Sequence, residues 1–402
     1  MSEHPAVPRP ALLTLVGVIV VAAVAAVIWP SGSTGDTAAA AGPPVVTISR
    51  NACGLGWTGT HTAGPQTIEL RNLDQSSAEA DLVEVSTGKV YGEVDGMGSD
   101  TSETMRVTLG PGRYALRCLI DDVDPLLGPA VRITGPAGAA AAGNPAAVPV
   151  TTGDLLDPLK QYQAYVSAGV ATLVGQTDAL AAVVRAGNLD AARAAWLPAH
   201  LTYERLGAAY GAFGDFDGKI NGTTAGLPGG VTDPDFTGFH RLEYGLWHGE
   251  SAASLGGIAD ELDSDVHGLQ AAVPDSETEA LDLGLRAHEI MENAEQFELT
   301  GQTDYGSGTN LATIESNLAG DREVITVLRP LLTPRYPQLS DVDTWSDRLQ
   351  ALLDKEKRPD GSWTPVQQLS TADREKINGA TAELIELLAP IATITEPRRV
   401  SS

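Results

Sequence analysis

The sequence predicts a multidomain chain: an N-terminal transmembrane helix, a small all-β sandwich and a long all-α region built from helix bundles. Three observations predict it. An apolar run opens the chain, period-2 alternation follows from Val45 to Ile133, and the apolar spacing then becomes helical through most of the remainder. A length of 402 residues also suits two cores better than one.

Ala11 to Ile28 is apolar apart from Thr14 and Gly17. At 1.5 Å per residue such a helix spans roughly 27 Å, close to the thickness of a bilayer core. Trp29 suits the membrane interface and Pro30 ends the helix. Arg9 precedes the run, which places the rest of the chain outside the cytoplasm. No cysteine follows closely enough to carry a lipid. Signal-peptide cores are usually about 7–15 residues long. Length therefore favours residues 1–30 as an uncleaved single-pass anchor in the cell membrane. The alternative is a signal cleaved within Thr37 to Ala41, leaving a secreted or periplasmic protein. Residues 31–44 form a small-residue tether.

The β domain is expected over residues 45–134. Its strand candidates are Val45 to Ile48, Gln66 to Leu70, Asp81 to Val85, Met105 to Leu109, Arg113 to Leu119 and Ala130 to Ile133. Gly110-Pro111-Gly112 between two of them predicts a hairpin turn. Residues 135–154 form a linker, and its stretch Gly135 to Val150 is rich in Ala, Pro and Gly and carries no charge.

The helical domain is expected over residues 155–402. Gly187-Asn188 ends one helix, and Asn188 caps the next, which Pro198 is expected to kink. Asn221 to Gly230 is a glycine-rich loop. Further helices are expected around Phe239 to His248, Ile258 to Leu269, Glu277 to Phe297, Leu311 to Leu331, Val342 to Leu353 and Thr371 to Leu388.

With 52 acidic against 26 basic residues, the formal charge is −26. Nucleic-acid binding needs a basic face, so that class is excluded. The charge attracts cations in general and also keeps an exported protein soluble.

His240 and Glu243, in Phe239-His240-Arg241-Leu242-Glu243, are three apart and share a helical face; Phe239, Leu242 and Leu246 form a separate apolar stripe. An imidazole and a carboxylate on one face can supply two ligands to a metal inside a bundle. A solvated or hydrogen-bonded face is the commoner use of that spacing. Glu204 in Tyr203-Glu204-Arg205 and the acidic run Asp260 to Asp265 are further carboxylate sources, whose ordinary reading is a charged surface. His288-Glu289-Ile290-Met291-Glu292 is not the zinc-protease pattern, because Glu292 stands where the second His belongs.

Taken in order, these stretches resemble the EfeO family, the extracytoplasmic component of a three-part iron uptake system. Its helical part is an imelysin-type domain. The carriers are Trp196 to Arg205, Phe213 to Ile220, Thr237 to Trp247, Ala259 to Gln270, Gly301 to Tyr305 and Val327 to Pro330, within about Leu155 to Leu388. The resemblance implies a metal site of His240, Glu243, Glu204 and Asp265, with Asp265 on the looser block. Asn310 stands where the family commonly has Asp, which makes such a site one charge weaker. One imidazole among carboxylates suits iron better than copper(I), and it also accepts zinc or manganese.

The resemblance further implies an iron permease and a haem peroxidase-like protein as partners, and a non-catalytic function of capturing iron and delivering it to the permease. The competing functions are an imelysin-type metallopeptidase, with Glu204 or Glu289 as base, and a binding or scaffold module.

The β domain resembles the cupredoxin-like domain at the front of longer EfeO proteins, through Cys53, Asn72, Glu79-Ala80-Asp81, Leu109 to Tyr114 and Cys118. Blue copper needs one Cys and two His. His61 is this domain's sole histidine, so that chemistry is excluded. Cys53 and Cys118, the two cysteines of the chain, are expected to form a disulfide in an exported protein. The alternative is a second metal site of both thiolates with Glu79, Asp81, Glu93 or Asp95, copper included.

Overall fold

A computed structural model describes residues 45–121, 123–136, 146–276 and 279–398. The expected anchor and tether, residues 1–44, lie outside the described residues, as does the middle of the linker.

Ten strands build the β domain: β1 (Val45–Ser49), β2 (Ala52–Leu55), β3 (Thr60–Thr62), β4 (Gly64–Asn72), β5 (Ala78–Glu84), β6 (Val90–Met97), β7 (Ser102–Leu109), β8 (Gly112–Ile120), β9 (Leu126–Leu127) and β10 (Val131–Thr134). One sheet has the order β2-β1-β4-β7; the other runs β3-β10-β8-β5-β6, with β9 on β8. Alternation fixes the inner faces: Ile68, Leu70 and Asn72 of β4 point into the core, as do Met105, Val107 and Leu109 of β7.

Gly110-Pro111 does not close a hairpin. β7 pairs with β4 and β8 with β5 and β10, so the turn carries the chain from one sheet to the other. A disulfide joins Cys53 on β2 to Cys118 on β8, linking the two sheets with Cα atoms 5.7 Å apart.

The helical region begins within the stretch read as linker. Thr151 caps α1 (Thr152–Arg185) in a capping box with Asp154. Asn188 caps α2 (Leu189–Glu204) through its bond from the Ala191 amide. Then follow α3 (Tyr210–Phe213), α4 (Asp215–Asn221), α5 (Gly238–Trp247), α6 (Ala252–Ala272), α7 (Ala280–Asn293), α8 (Asn310–Leu332), α9 (Leu339–Leu353), α10 (Thr371–Leu388) and α11 (Pro390–Thr395). One buried apolar cluster runs from Val150 to Ile391 through all the longer helices. The segment after α11 runs back to Val150, whose carbonyl accepts from the Arg398 amide at 2.7 Å.

Two glycines permit the helix contacts that matter below. A Cβ at Gly238 would lie 2.2 Å from the Ile220 carbonyl oxygen, so only glycine lets α5 start against the end of α4. A Cβ at Gly320 would lie 2.4 Å from the Arg205 carbonyl oxygen, so α8 passes close beneath the end of α2.

Candidate metal centre

α5 is buried nearly all round: Phe239, His240, Leu242, Glu243 and Leu246 are all inside. The His240/Glu243 face and the apolar stripe are therefore both interior. The ends of α2 and α4, the middle of α8 and the last turn of α7 meet this helix around a cavity of about 570 Å³. Glu204, His240, Glu298 and Tyr305 lie on its wall.

Glu204 closes α2 and is 6% exposed. Asn221 donates to its Oε1 at 2.8 Å and Asn317 to its Oε2 at 2.8 Å. Nε2 of His200 stands 3.1 Å from Oε1. Burial alone would raise the carboxyl, but His200 and the two amides outweigh it and hold Glu204 well below its ordinary value. His200 itself is stacked on Trp196, with ring centroids 4.8 Å apart, so it supports Glu204 from the core side.

His240 is 3% exposed, and its ring lies 5.2 Å from that of Tyr305. Its Nδ1 is 3.3 Å from Oε2 of Glu243. Oε1 of Glu243 accepts from the amides of Tyr305 and Ser307 at 3.2 and 3.0 Å, and from the Ser307 hydroxyl at 2.6 Å. Burial again pushes the carboxyl up, but His240 and Ser307 bring Glu243 below its ordinary value. Glu243 is not among the residues on the cavity wall; it stands behind His240 and pins the loop 304–308.

Glu298 is 8% exposed at the end of a π-helical turn, Ala294–Glu298, that extends α7. Thr303 donates to its Oε1 at 2.6 Å and Asn310 to its Oε2 at 2.7 Å. Burial and the charge of Glu204 push it up to about 7. Two buried carboxylates on one cavity wall resist ionising together.

Of the four candidate ligands, Glu204 and His240 come together on this wall and Glu243 lies directly behind. Asp265 does not join them. It sits half-buried on α6 with Lys219 as its charged neighbour, and it is not on the cavity wall. The buried stripe of α6 is Leu255, Ala259, Leu262, Val266 and Leu269, so the core takes its apolar side and leaves Asp265 at the margin. Asn310, where the resemblance implies an Asp, donates to Glu298 directly.

Sequence reasoning missed Glu298 and the supporting role of His200. A signal existed for Glu298: Leu283, Ala287, Ile290, Met291 and Ala294 make an apolar stripe at helical spacing, and Glu298 is its next position.

The wall is rich in charge. Asp217 and Glu289 also lie on it, against one guanidinium, Arg286, which donates to Glu289 at 2.7 Å. Such a cavity favours a cation. Among the described residues, two groups of three metal-competent side chains have ligand atoms within 4.8 Å of one another, and both lie elsewhere. A cation in the cavity must therefore draw its ligands inward or complete its shell with water.

One of the tight groups is Glu79, Asp81 and Glu93 in the β domain. There Arg117 bonds Asp81 and Arg398 bonds Glu93, so two of its three carboxylates already have a guanidinium partner. With both sulfurs in the disulfide, no thiolate is left for a second site there.

The architecture is thus a β sandwich followed by a helical domain with a buried cavity lined by an imidazole and carboxylates. The chain belongs to the imelysin family, whose profile matches residues 158–391. It is similar to proteins named iron uptake system component EfeO. It is 28% identical to that of Escherichia coli O157:H7 over 337 residues, covering 83% of this chain and 86% of the relative. The protein of the same name from Yersinia pseudotuberculosis serotype I is 28% identical over 333 residues, with the same coverage.

Proposed function

We propose that this protein is the metal-capturing component of an iron uptake system, and that iron is its cargo, held in the helical cavity. The observation that carries the reading is the meeting of Glu204, His240 and Glu298, each at least nine-tenths buried, on one cavity wall. Glu204 and His240 offer one carboxylate and one imidazole nitrogen, and Glu298 adds a second carboxylate. Hard carboxylates with one imidazole suit iron, and the same set admits manganese or zinc. Glu243 acts through His240. By bonding Nδ1 it directs the Nε2 lone pair toward the cavity. The similarity to relatives named as iron uptake components supports iron as the metal.

Capture outside the membrane, delivery to a permease and cooperation with a haem peroxidase-like protein belong to the same proposal. Peptidase chemistry fits the wall poorly. His200 and two amides hold Glu204 ionised and well below its ordinary value, which makes it a weak base, and Glu289 is paired with Arg286, so neither is poised for proton abstraction. The test is a calorimetric titration of the full chain with iron against the variant carrying His240→Ala and Glu204→Gln. At least about tenfold weaker binding is expected in the variant. Equal affinity refutes the cavity as the site.

A further inference from the structure

The second tight group lies on the outer surface of the helical domain, and the cavity does not use it. Two ion pairs bridge α1 and α6. Arg185 bonds Asp260 at 2.6 Å, and seven residues earlier on α1, Asp178 lies 3.2 Å from Nε2 of His267, seven residues later on α6. Equal and opposite offsets make the helices antiparallel, with Leu180, Val184, Leu262 and Val266 buried on their inner sides. Asp263 and His267 are four apart on α6, so they lie one above the other on the edge facing Asp178. The ligand atoms of Asp178, Asp263 and His267 all fall within 4.8 Å of one another.

A separate observation concerns Asp263 alone. Its Oδ1 is closed to solvent and has no hydrogen-bond partner, although Asp178 and His267 beside it are about half exposed. A carboxylate oxygen that has lost water without gaining a donor carries a free-energy cost that a bound cation would offset. Arg185, the guanidinium that bridges these two helices, is already paired with Asp260, three residues before Asp263.

We propose that Asp178, Asp263 and His267 form a second metal site, independent of the cavity, for a divalent transition cation of the zinc class. Zinc accepts imidazole nitrogen and carboxylate oxygen at about 2.0–2.2 Å, which puts neighbouring ligand atoms of a tetrahedral ion roughly 3.3 Å apart. The His267–Asp178 pair already has that separation, and rotamer adjustment of Asp263 closes the third side. The ion replaces the hydrogen bond between His267 and Asp178 and takes the Nε2 lone pair. Water fills the outward position. Two ligands from α6 and one from α1 clamp the helices together, so the ion stabilises their packing.

The test is a zinc titration, by calorimetry, of the full chain carrying His240→Ala and Glu204→Gln, which disables the cavity. That chain is expected to bind one zinc. Adding His267→Ala or Asp263→Asn should weaken the binding by at least about tenfold, and zinc should raise the Tm only where His267 is present. As a safeguard against misfolding of the multiple variants, His267→Ala alone should lower the zinc stoichiometry of the otherwise unchanged chain by one. No zinc bound by the cavity variant, or unchanged affinity and stoichiometry without His267, overturns the proposal.

Discussion

Nδ1 of His240 lies 3.3 Å from Oε2 of Glu243, whose other oxygen takes three donors from Tyr305 and Ser307. One buried carboxylate thus orients the imidazole and fastens a loop of the cavity. Tyr305 extends the connection, because its hydroxyl accepts from the Thr224 amide at 2.9 Å and so reaches the glycine-rich loop.

The double role of Glu243 predicts a pattern that a simple ligand would not give. Glu243→Gln should weaken iron binding by about 10- to 100-fold, the usual loss when a ligand's orienting partner is altered. It should also accelerate hydrogen exchange at the Tyr305 and Ser307 amides. His240→Ala should weaken binding without that acceleration, because Glu243 still holds the loop. Equal exchange in the two variants would count against the assignment.

Glu298 predicts a pH dependence of the metal-free protein. Its carboxyl rises from an ordinary 4.5 to about 7, chiefly through burial and then through the charge of Glu204. A carboxyl raised on folding stabilises the fold while protonated, fully so below its unfolded value. That contribution is lost as pH rises from 4.5 through about 7. The loss is roughly 3 kcal/mol at 1.36 kcal/mol per unit. Glu298→Gln should therefore match the parent at pH 4 and exceed it in Tm at pH 8, read by thermal unfolding under chelator. Iron binding by the parent chain below pH 7 should release a proton, measurable by calorimetry in buffers of different ionisation enthalpy.

The longer helices were legible because their apolar spacing persists over several turns: Thr371 to Leu388 is matched at both ends, and Asn188 is the cap expected. β6 was not legible. Gly92, Glu93, Asp95 and Gly96 interrupt its alternation, and its place beside β5 comes from pairing across the sheet. The turn at Gly110-Pro111 misled for the same reason, since local composition identifies a turn but not the sheets it joins. The motif resemblance singled out Glu204 and His240, which lie together on the cavity wall. Spacing alone does not tell how a carboxylate's oxygens are engaged, so the bonds of Glu243 to Tyr305 and Ser307 were not legible. Asp265 was drawn from an acidic run whose core-facing positions are Leu262 and Val266.

The Cys53–Cys118 bond closes a loop with a sequence separation of 65. In the chain-entropy model this stabilises the β domain by about 4 kcal/mol. The Cys53→Ser/Cys118→Ser variant should unfold its β domain at markedly lower urea concentration, while iron binding in the helical domain stays within about twofold of the parent. A parallel loss of iron affinity would mean that the cation is held by the β domain instead.

The last prediction separates Asp265 from Glu298. Both are carboxylates of the helical domain, and only Glu298 is on the wall shared by Glu204 and His240. Asp265 lies outside that wall beside Lys219, so its charge reaches the cavity only through space, where water and salt screen it. Asp265→Asn should leave iron affinity within about twofold of the parent. Glu298→Gln removes a charge at the cavity itself and should weaken iron binding by at least about tenfold near pH 8, where the parent carboxyl is ionised. The difference should shrink below pH 6, because the parent Glu298 then carries a proton that iron must displace. Titrating iron into the two variants at pH 6 and pH 8 gives the comparison. A large loss in Asp265→Asn with none in Glu298→Gln would move the site to the α4–α6 edge.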